Sequence, residues 1–362
     1  MPVKVLAVAS YSDRAEAETF IGLRREGIEV EVLCEPGSAG YARYADAGVP
    51  VRALPIRRSY DIAAMRGIRR RLREDRHDIL HLLTRRTVRN GLVAAAGLDV
   101  RIVAYRGVVG TPLSDPSNWI TFLHPRVDRI VCVSEQVRRD LVDRRFLGFR
   151  FPAARAVTIH KGYDVEWAAG PPADLAEFDF PEEAFVVGFL ANVRPGKGVD
   201  LLIDAAAHLD AALPVYFLLV GEGTDGPAVA ERIAASPIRR CFRVAGYRAD
   251  GPALMGACDA MALPSASEGL GRAVMESMAR GTPPIVTPTG ASELIEDGVS
   301  GFVVPHADPP AIAAAITRLV RDPAGRGRMG RAARERIRRE FPIQDTIRRT
   351  KELYEELLTE ST

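Results

Sequence analysis

Short apolar runs rich in β-branched residues alternate with helix-period segments along almost the whole chain, and the alternation is laid down twice. In the first half the runs fall at 3–9, 28–33, 51–54, 79–82, 102–105, 130–133 and 156–159, with helical spacing near 14–26, 60–75, 87–97 and 135–146. A strand followed by a crossover helix and another strand pairs in parallel, so this pattern predicts a doubly wound α/β sheet. The pattern lapses over 165–183, where Ala-Ala-Gly-Pro-Pro-Ala-Asp and Phe-Asp-Phe-Pro-Glu-Glu have linker chemistry. It then restarts, with strands expected at 186–190, 215–220, 242–245, 260–263 and 284–287 and helices near 199–211, 225–235, 251–257 and 272–280. Three further helices are expected at 309–321, 323–340 and 343–358, separated by Pro323 and Pro342. The expected domains are 1–164 and 165–342, two Rossmann-like units whose ligands sit at the carboxyl ends of their sheets, facing each other across a cleft.

Composition removes several other function classes. A chain of 362 residues accommodates two cores. No window approaches 18 uncharged apolar residues, and the N-terminal run passes straight into Tyr11-Ser-Asp-Arg14, so it reads as a buried strand. Cys34, Cys132, Cys241 and Cys258 lie in or beside apolar runs without metal-ligand spacing, which fits reduced thiols in a cytoplasmic protein. The six histidines form no zinc-binding pattern, so no metal is expected. Charge is uneven: residues 1–164 carry 28 Lys/Arg against 19 Asp/Glu, and the remainder 21 against 28. A basic first domain suits an anionic membrane surface or polyanionic glycan, or reflects solvated arginine-rich helix faces such as 66–76. No nucleic-acid partner is expected.

Chemistry concentrates in the second half. Pro264-Ser-Ala-Ser-Glu268-Gly269-Leu270-Gly271-Arg-Ala-Val-Met-Glu276 places two carboxylates around a Gly-x-Gly turn that opens a helix. Unpaired N–H groups at such a helix start suit a phosphate or diphosphate, and the flanking acids suit hydroxyl groups. Arg194-Pro-Gly-Lys197-Gly198 follows a strand and precedes a helix, so two cations project from a turn where they could offset a leaving diphosphate. Gly221-Glu222-Gly223 is either a phosphate loop or a tight strand-to-helix turn. Tyr247 and Arg248 follow a strand end, where they could hold a nucleobase or cap a loop. In the first half, Arg106 and His81 end strands at the expected cleft, with a structural role open for the histidine. A dehydrogenase is not expected, since no G-x-G-x-x-G follows the first strand.

Together these residues resemble the GT-B glycosyltransferases, and within them the large retaining family four, whose signature is E-x7-E. Glu268 and Glu276 fit that spacing, and the similarity runs over 184–305 through Lys197-Gly198, Gly221-Glu-Gly223 and Thr289-Gly-Ala-Ser-Glu293. The resemblance implies that Glu276 binds ribose hydroxyls and that Glu268 contacts the donor sugar. It assigns the N–H groups of Gly269, Leu270 and Gly271 to sugar and phosphates, Arg194 and Lys197 to the diphosphate, and the final helix to the first domain. It implies metal-independent transfer, with retention, from a nucleotide diphosphate sugar (UDP by family frequency) to a glycan or lipid-linked acceptor. No cofactor beyond the sugar nucleotide is implied. The chain departs from the family in three places. Ser10-Tyr-Ser12-Asp-Arg14 replaces a Gly-Gly loop and puts Ser12 at the expected cleft. Arg106 stands where members often have histidine. Asn192 occupies the usual arginine position, with Arg194 taken as its replacement. A sugar-nucleotide epimerase and a catalytically silent sugar-nucleotide-binding protein are the alternatives.

Overall fold

A computed structural model describes residues 2–110, 114–146 and 148–360. The chain forms two compact units, one of residues 1–162 and 342–362, the other of 163–341.

The first unit contains β1 (Lys4–Ala9), α1 (Arg14–Arg25), β2 (Glu29–Cys34), α2 (Ala39–Asp46), β3 (Val51–Ala53), α3 (Ile62–Asp75), β4 (Ile79–Leu82), α4 (Arg85–Ala94), β5 (Arg101–Arg106), α5 (Pro116–Trp119), β6 (Arg129–Cys132), α6 (Glu135–Val142), β7 (Arg145–Phe146), β8 (Phe149–Arg150) and β9 (Ala156–Thr158). Seven strands form one sheet in the order β3-β2-β1-β4-β5-β6-β9, and every pairing in it is parallel. Central strands are covered on both faces, which is why β1 is an apolar run after Lys4 and β4 is buried at every position, His81 included. The helix expected over 135–146 stops at Val142, and Arg145–Phe146 and Phe149–Arg150 instead supply the antiparallel β7–β8 pair.

The second unit contains β10 (Phe185–Leu190), α7 (Val199–Ala206), β11 (Val215–Val220), α8 (Pro227–Ala235), β12 (Phe242–Gly246), α9 (Gly251–Ala257), β13 (Ala260–Leu263), α10 (Arg272–Ala279), β14 (Pro284–Val286), β15 (Phe302–Val303), α11 (Pro309–Arg321) and α12 (Pro323–Glu340). Its parallel sheet runs β12-β11-β10-β13-β14-β15. In both sheets the strand order reverses direction beside the first strand, between β1 and β4 and between β10 and β13. Loops leaving those strands diverge to opposite faces and open the crevice where doubly wound sheets bind ligands.

The last helix, α13 (Ile343–Thr359), belongs to the first unit. Ile343, Thr346, Thr350, Leu353, Tyr354 and Leu357 recur at three- and four-residue spacing and are its buried face. Each fully buried aliphatic or aromatic side chain of that stripe contributes about 1.5–3 kcal/mol. Thr346 Oγ1 fixes the chain reversal by accepting from Gly162 N–H and donating to His160 O, both at 2.8 Å. Among the described residues no helix is long and apolar enough to cross a membrane, and all four cysteines are free thiols.

Candidate active site

In the second unit, the two loops that leave β10 and β13 are bonded to each other. Ala266 N–H donates to Gly196 O at 2.7 Å, and Ser265 Oγ donates to Lys197 O at 3.2 Å. Gly198 makes this approach possible: its φ is +78°, and a Cβ there would lie 2.2 Å from Pro264 O. With the loops in register, Lys197 Nζ lies 2.6 Å from Glu268 Oε1, and the single Ser265 hydroxyl proton is shared between Lys197 O and that carboxylate oxygen, 2.9 Å away. Glu268 is 9% exposed, so its carboxylate is held in place by a cation and a hydroxyl rather than by water. Thr287 Oγ1 in turn bonds Ser265 O, and Gly290 N–H donates to Glu268 O at 3.2 Å.

The same loop ends in the N-terminus of α10. Gly271 is its N-cap at φ +79°, where a Cβ would meet Ala291 Cβ at 2.9 Å. Gly269, Leu270 and Gly271 are buried, and no group among the described residues accepts from their N–H groups. Three unpaired donors in a row at a helix start form an anion seat. Glu276 lies on the second turn of α10, 3.5 Å from Arg272 across an i,i+4 step. Arg194 is exposed on the β10–α7 loop, two residues before Gly196, and enters no ion pair among the described residues. Asn192 is tied instead to the next loop: its Oδ1 accepts from Glu222 N–H at 3.3 Å, while Val193 N–H donates to Glu222 O at 2.8 Å. Gly221, at φ +133°, packs against Ala191 O in the same crossing.

Tyr247 and Arg248 stand apart from this cluster in their bonding. Tyr247 is 73% exposed after β12. Arg248 spans Glu177, at 2.8 and 2.9 Å, and Asp250, at 2.9 and 2.8 Å. Hydrogen bonds that it donates to Asp250 and then to Glu177 raise its pKa and fix its guanidinium on the linker.

In the first unit the expected cleft residues diverge. His81 is a core residue: its Nδ1 lies 2.5 Å from the Tyr354 hydroxyl, and the rings of Phe20 and Tyr354 pack edge-on at 5.5 and 5.9 Å. The expectation that it faces a cleft fails because its side of β4 is covered by α1 and α13. Ser12 is likewise turned inward, with Oγ 2.9 Å from the Tyr44 hydroxyl and no exposed surface. Arg106 does end β5 at the sheet's carboxyl edge, is 3% exposed and lies over Phe122, with Cζ 4.8 Å from the ring centroid. Burial, reinforced by nearby Arg85, lowers its pKa to about 10.

Known proteins place this arrangement. Residues 184–322 match the family model described as glycosyl transferases group 1, and residues 18–167 match that of glycosyltransferase family 4. The chain belongs to the family-4 glycosyltransferases. A D-inositol 3-phosphate glycosyltransferase of Salinispora tropica is 30% identical over 254 residues, 64% of this chain and 52% of that protein. The putative glycosyltransferase EpsD of Bacillus subtilis is 26% identical over 331 residues, covering 83% of this chain and 84% of its own. The matched segments span about half the length of the inositol-phosphate relatives, 52%, 50% and 52%. The crystal structure of Anabaena HepE with UDP and glucose has a TM-score of 0.80 at 21% identity, over 97% of this chain and 99% of that one. The shared fold is GT-B.

Sequence reasoning about this glycosyltransferase overlooked Ser265, whose hydroxyl holds both loops at once. The signal was its position three residues before Glu268, directly after the strand. It also overlooked the buried cluster at the end of β1. Lys161 Nζ donates to Asp13 Oδ2 at 2.6 Å and Glu16 Oε1 at 3.1 Å. Burial alone would lower the Lys161 pKa, but Glu16, Tyr105 and Asp13 outweigh it and raise it. Glu31, Asp75 and His77 also converge within 4.8 Å, as metal ligands could. Arg52 and Arg71 already hold Glu31, at 2.8 and 3.0 Å, so this is a salt-bridge network.

Proposed function

We propose that this glycosyltransferase transfers a sugar from a nucleotide diphosphate donor, with UDP as the nucleotide, and that the anomeric configuration is retained. The observation that carries the reading is the anion seat of Gly269, Leu270 and Gly271 beside the Lys197–Glu268 pair, on loops flanking the switch point of the sheet. A diphosphate at the seat takes the helix N-terminus and its three N–H donors. Arg194 and Lys197 add cationic charge on one side, and Glu276 on α10 takes the ribose hydroxyls. The crystal structures of HepE with UDP and with UDP and glucose favour UDP as the nucleotide.

In the proposed reaction the acceptor oxygen approaches the anomeric carbon on the face from which the diphosphate leaves. The bond from carbon to phosphate oxygen breaks, the acceptor oxygen–carbon bond forms, and the acceptor proton passes to the departing phosphate oxygen. Negative charge grows on the diphosphate, where preorganised cations and N–H donors lower the barrier. Those groups supply the charge without a metal, so EDTA is expected to leave turnover unchanged. The acceptor is a glycan or lipid-linked sugar held by the first unit, in keeping with a lipopolysaccharide core glycosyltransferase, LpsE of Rhizobium meliloti, among the relatives.

Contact with an anionic membrane surface would use α3. Arg66, Arg70, Arg73 and Arg76 are exposed there, near Tyr60 and Ile62, whereas Arg69 and Arg71 are spent on Ala94 O and Glu31. Co-sedimentation with anionic rather than neutral vesicles tests this contact.

Calorimetry with UDP, GDP and ADP, followed by NMR of the glycoside formed, tests the donor reading. UDP is expected to bind with preference, and the product to keep the donor's anomeric configuration. Replacing Lys197 with alanine should cost about 10²–10³ in kcat, the usual cost of one transition-state donor. A Glu268→Ala enzyme with native turnover, or an inverted product, defeats the proposal. UDP binding without transfer to any glycan or lipid-linked acceptor would make the chain a silent binder.

A further inference from the structure

Arg106 is a buried cation in no ion pair among the described residues, although the nearby Asp140 carboxylate offsets part of its charge. It closes β5 at the carboxyl edge of the first unit's sheet, and its Nη2 has no hydrogen-bond partner among the described residues. Two other sheltered arginines of this unit are satisfied, while Arg89 Nε is likewise without a partner among the described residues. Arg71 reaches Glu31 at 3.0 Å, and Arg155 reaches the carbonyls of Val127 and His124 at 2.9 and 2.7 Å. Nearby acids are engaged elsewhere. Asp140 accepts from Gly110 N–H at 2.8 Å and Arg144 at 3.0 Å, and Asp115 accepts from Ser117 N–H at 2.8 Å. Glu135 is held by Arg138 at 2.8 and 2.9 Å and by Thr158 at 2.7 Å.

Positive potential accumulates around Arg106 from three further sources. Arg85, close enough to depress its pKa, donates to Ser117 Oγ at 3.3 Å and pairs with no carboxylate among the described residues. The strands on either side, β4 and β6, lead into the N-termini of α4, capped by Thr84, and α6, capped by Ser134. Helix N-termini attract anions, and a buried guanidinium without a counter-charge is strongly disfavoured unless a ligand brings one. Its planar fork matches carboxylate and phosphate oxygens two at a time.

We propose that Arg106 is the seat of an oxyanion, a carboxylate or phosphate group carried by the substrate that binds at the carboxyl edge of the first unit's sheet. The inference rests on the reading of that unit as substrate-holding. It adds that the acceptor held there is charged, carrying either a carboxylate or a phosphate.

Titration calorimetry on the full chain, with wild type, Arg106→Lys and Arg106→Met, separates the two groups. One pair of probes is glucuronate against glucose, and the other is glucose 6-phosphate against glucose. Wild type is expected to prefer the charged member of one pair by tenfold or more, and that pair names the group. Lysine should keep part of the preference and methionine none, while all three proteins bind UDP with the same Kd. Methionine keeps the bulk of the side chain, and apolar replacement of a buried ion is commonly tolerated by a fold. The proposal is overturned if wild type shows no preference in either pair, or if the preference survives in Arg106→Met. It is also overturned if Arg106→Met loses UDP affinity and Tm together, since that assigns the arginine to the fold. Failure of UDP to bind, with an Arg106-dependent preference for glucose 6-phosphate intact, removes the donor reading and leaves the oxyanion seat standing.

Discussion

Acid should unfold the first unit through His81. The ring is 5% exposed, Nδ1 bonds the Tyr354 hydroxyl at 2.5 Å, and Nε2 has no partner among the described residues. Burial lowers its pKa to about 3, against about 6.5 in an unfolded chain. Between those values the unfolded chain holds a proton that the folded chain does not. His81 therefore costs no stability above about pH 6.5, and its penalty grows as the pH falls from there toward 3. At 1.36 kcal/mol per unit, going from pH 7 to pH 5 removes about 2 kcal/mol through this residue alone. For a unit of this size that lowers Tm by about 4–8 °C. Scanning calorimetry of wild type and His81→Phe at both pH values isolates the effect, because every other group titrates in both proteins. Phenylalanine keeps a ring against Phe20 but strands the Tyr354 hydroxyl, so the variant starts less stable at pH 7. Its loss on going to pH 5 should be smaller than that of wild type by about 2 kcal/mol. Equal losses in the two proteins, or an NMR titration of the His81 ring near pH 6.5, would refute the reasoning.

Other perturbations address the loops and the buried charges. Gly198→Ala puts a Cβ 2.2 Å from Pro264 O at a φ of +78°, so the two loops must separate and UDP affinity should fall at least tenfold by calorimetry. Ser265→Ala removes the hydroxyl shared by Lys197 O and Glu268 Oε1. It should cost about 1–2 kcal/mol in chemical denaturation and lower kcat/KM, with unchanged stability and turnover counting against its bridging role. Lys161→Met takes the cation from beside Asp13 and Glu16, 15% and 16% exposed, and should cost about 3–5 kcal/mol. Burial already raises the Glu16 pKa, and losing the cation raises it further, so the deficit should shrink as the pH falls and the carboxylates take protons. A deficit independent of pH would show that the ion cluster is not its cause.

Most of the fold was legible because parallel strands buried on both faces leave continuous apolar runs. The strands at 79–82, 215–220 and 260–263 match β4, β11 and β13 residue for residue. Some short elements were legible, such as the three-residue β3, β9 and β14, but others were not. The helix α2 lies in Pro36-Gly-Ser-Ala-Gly-Tyr-Ala-Arg-Tyr-Ala-Asp46-Ala-Gly, whose glycines and proline read as turn, and β15 has only two residues. The helix expected over 199–211 ends at Ala206 because the following residues turn back on Asp204, Ala205 and Ala206 carbonyls. In the site, the Gly-x-Gly turn and its two glutamates announced themselves by local spacing, since a helix start is local chemistry. Ser12 and His81 carried no such mark, because whether a polar residue at a strand end faces solvent depends on what packs over it.

The sequence by itself determined the strand–helix alternation, the break between two units, and a glycine-lined helix start between Glu268 and Glu276. These rest on periodicity and on conformations that only nearby residues control. The tertiary structure decided which side chains meet. Lys197 and Glu268 stand 71 residues apart, yet they share a hydrogen bond because β10 and β13 are neighbours at the switch in strand order. Packing also separated two polar residues that had looked alike at strand ends. The closure of α13 over β4 turned His81 into a core residue, while Arg106, at the carboxyl edge of β5, was left a buried charge in no ion pair among the described residues.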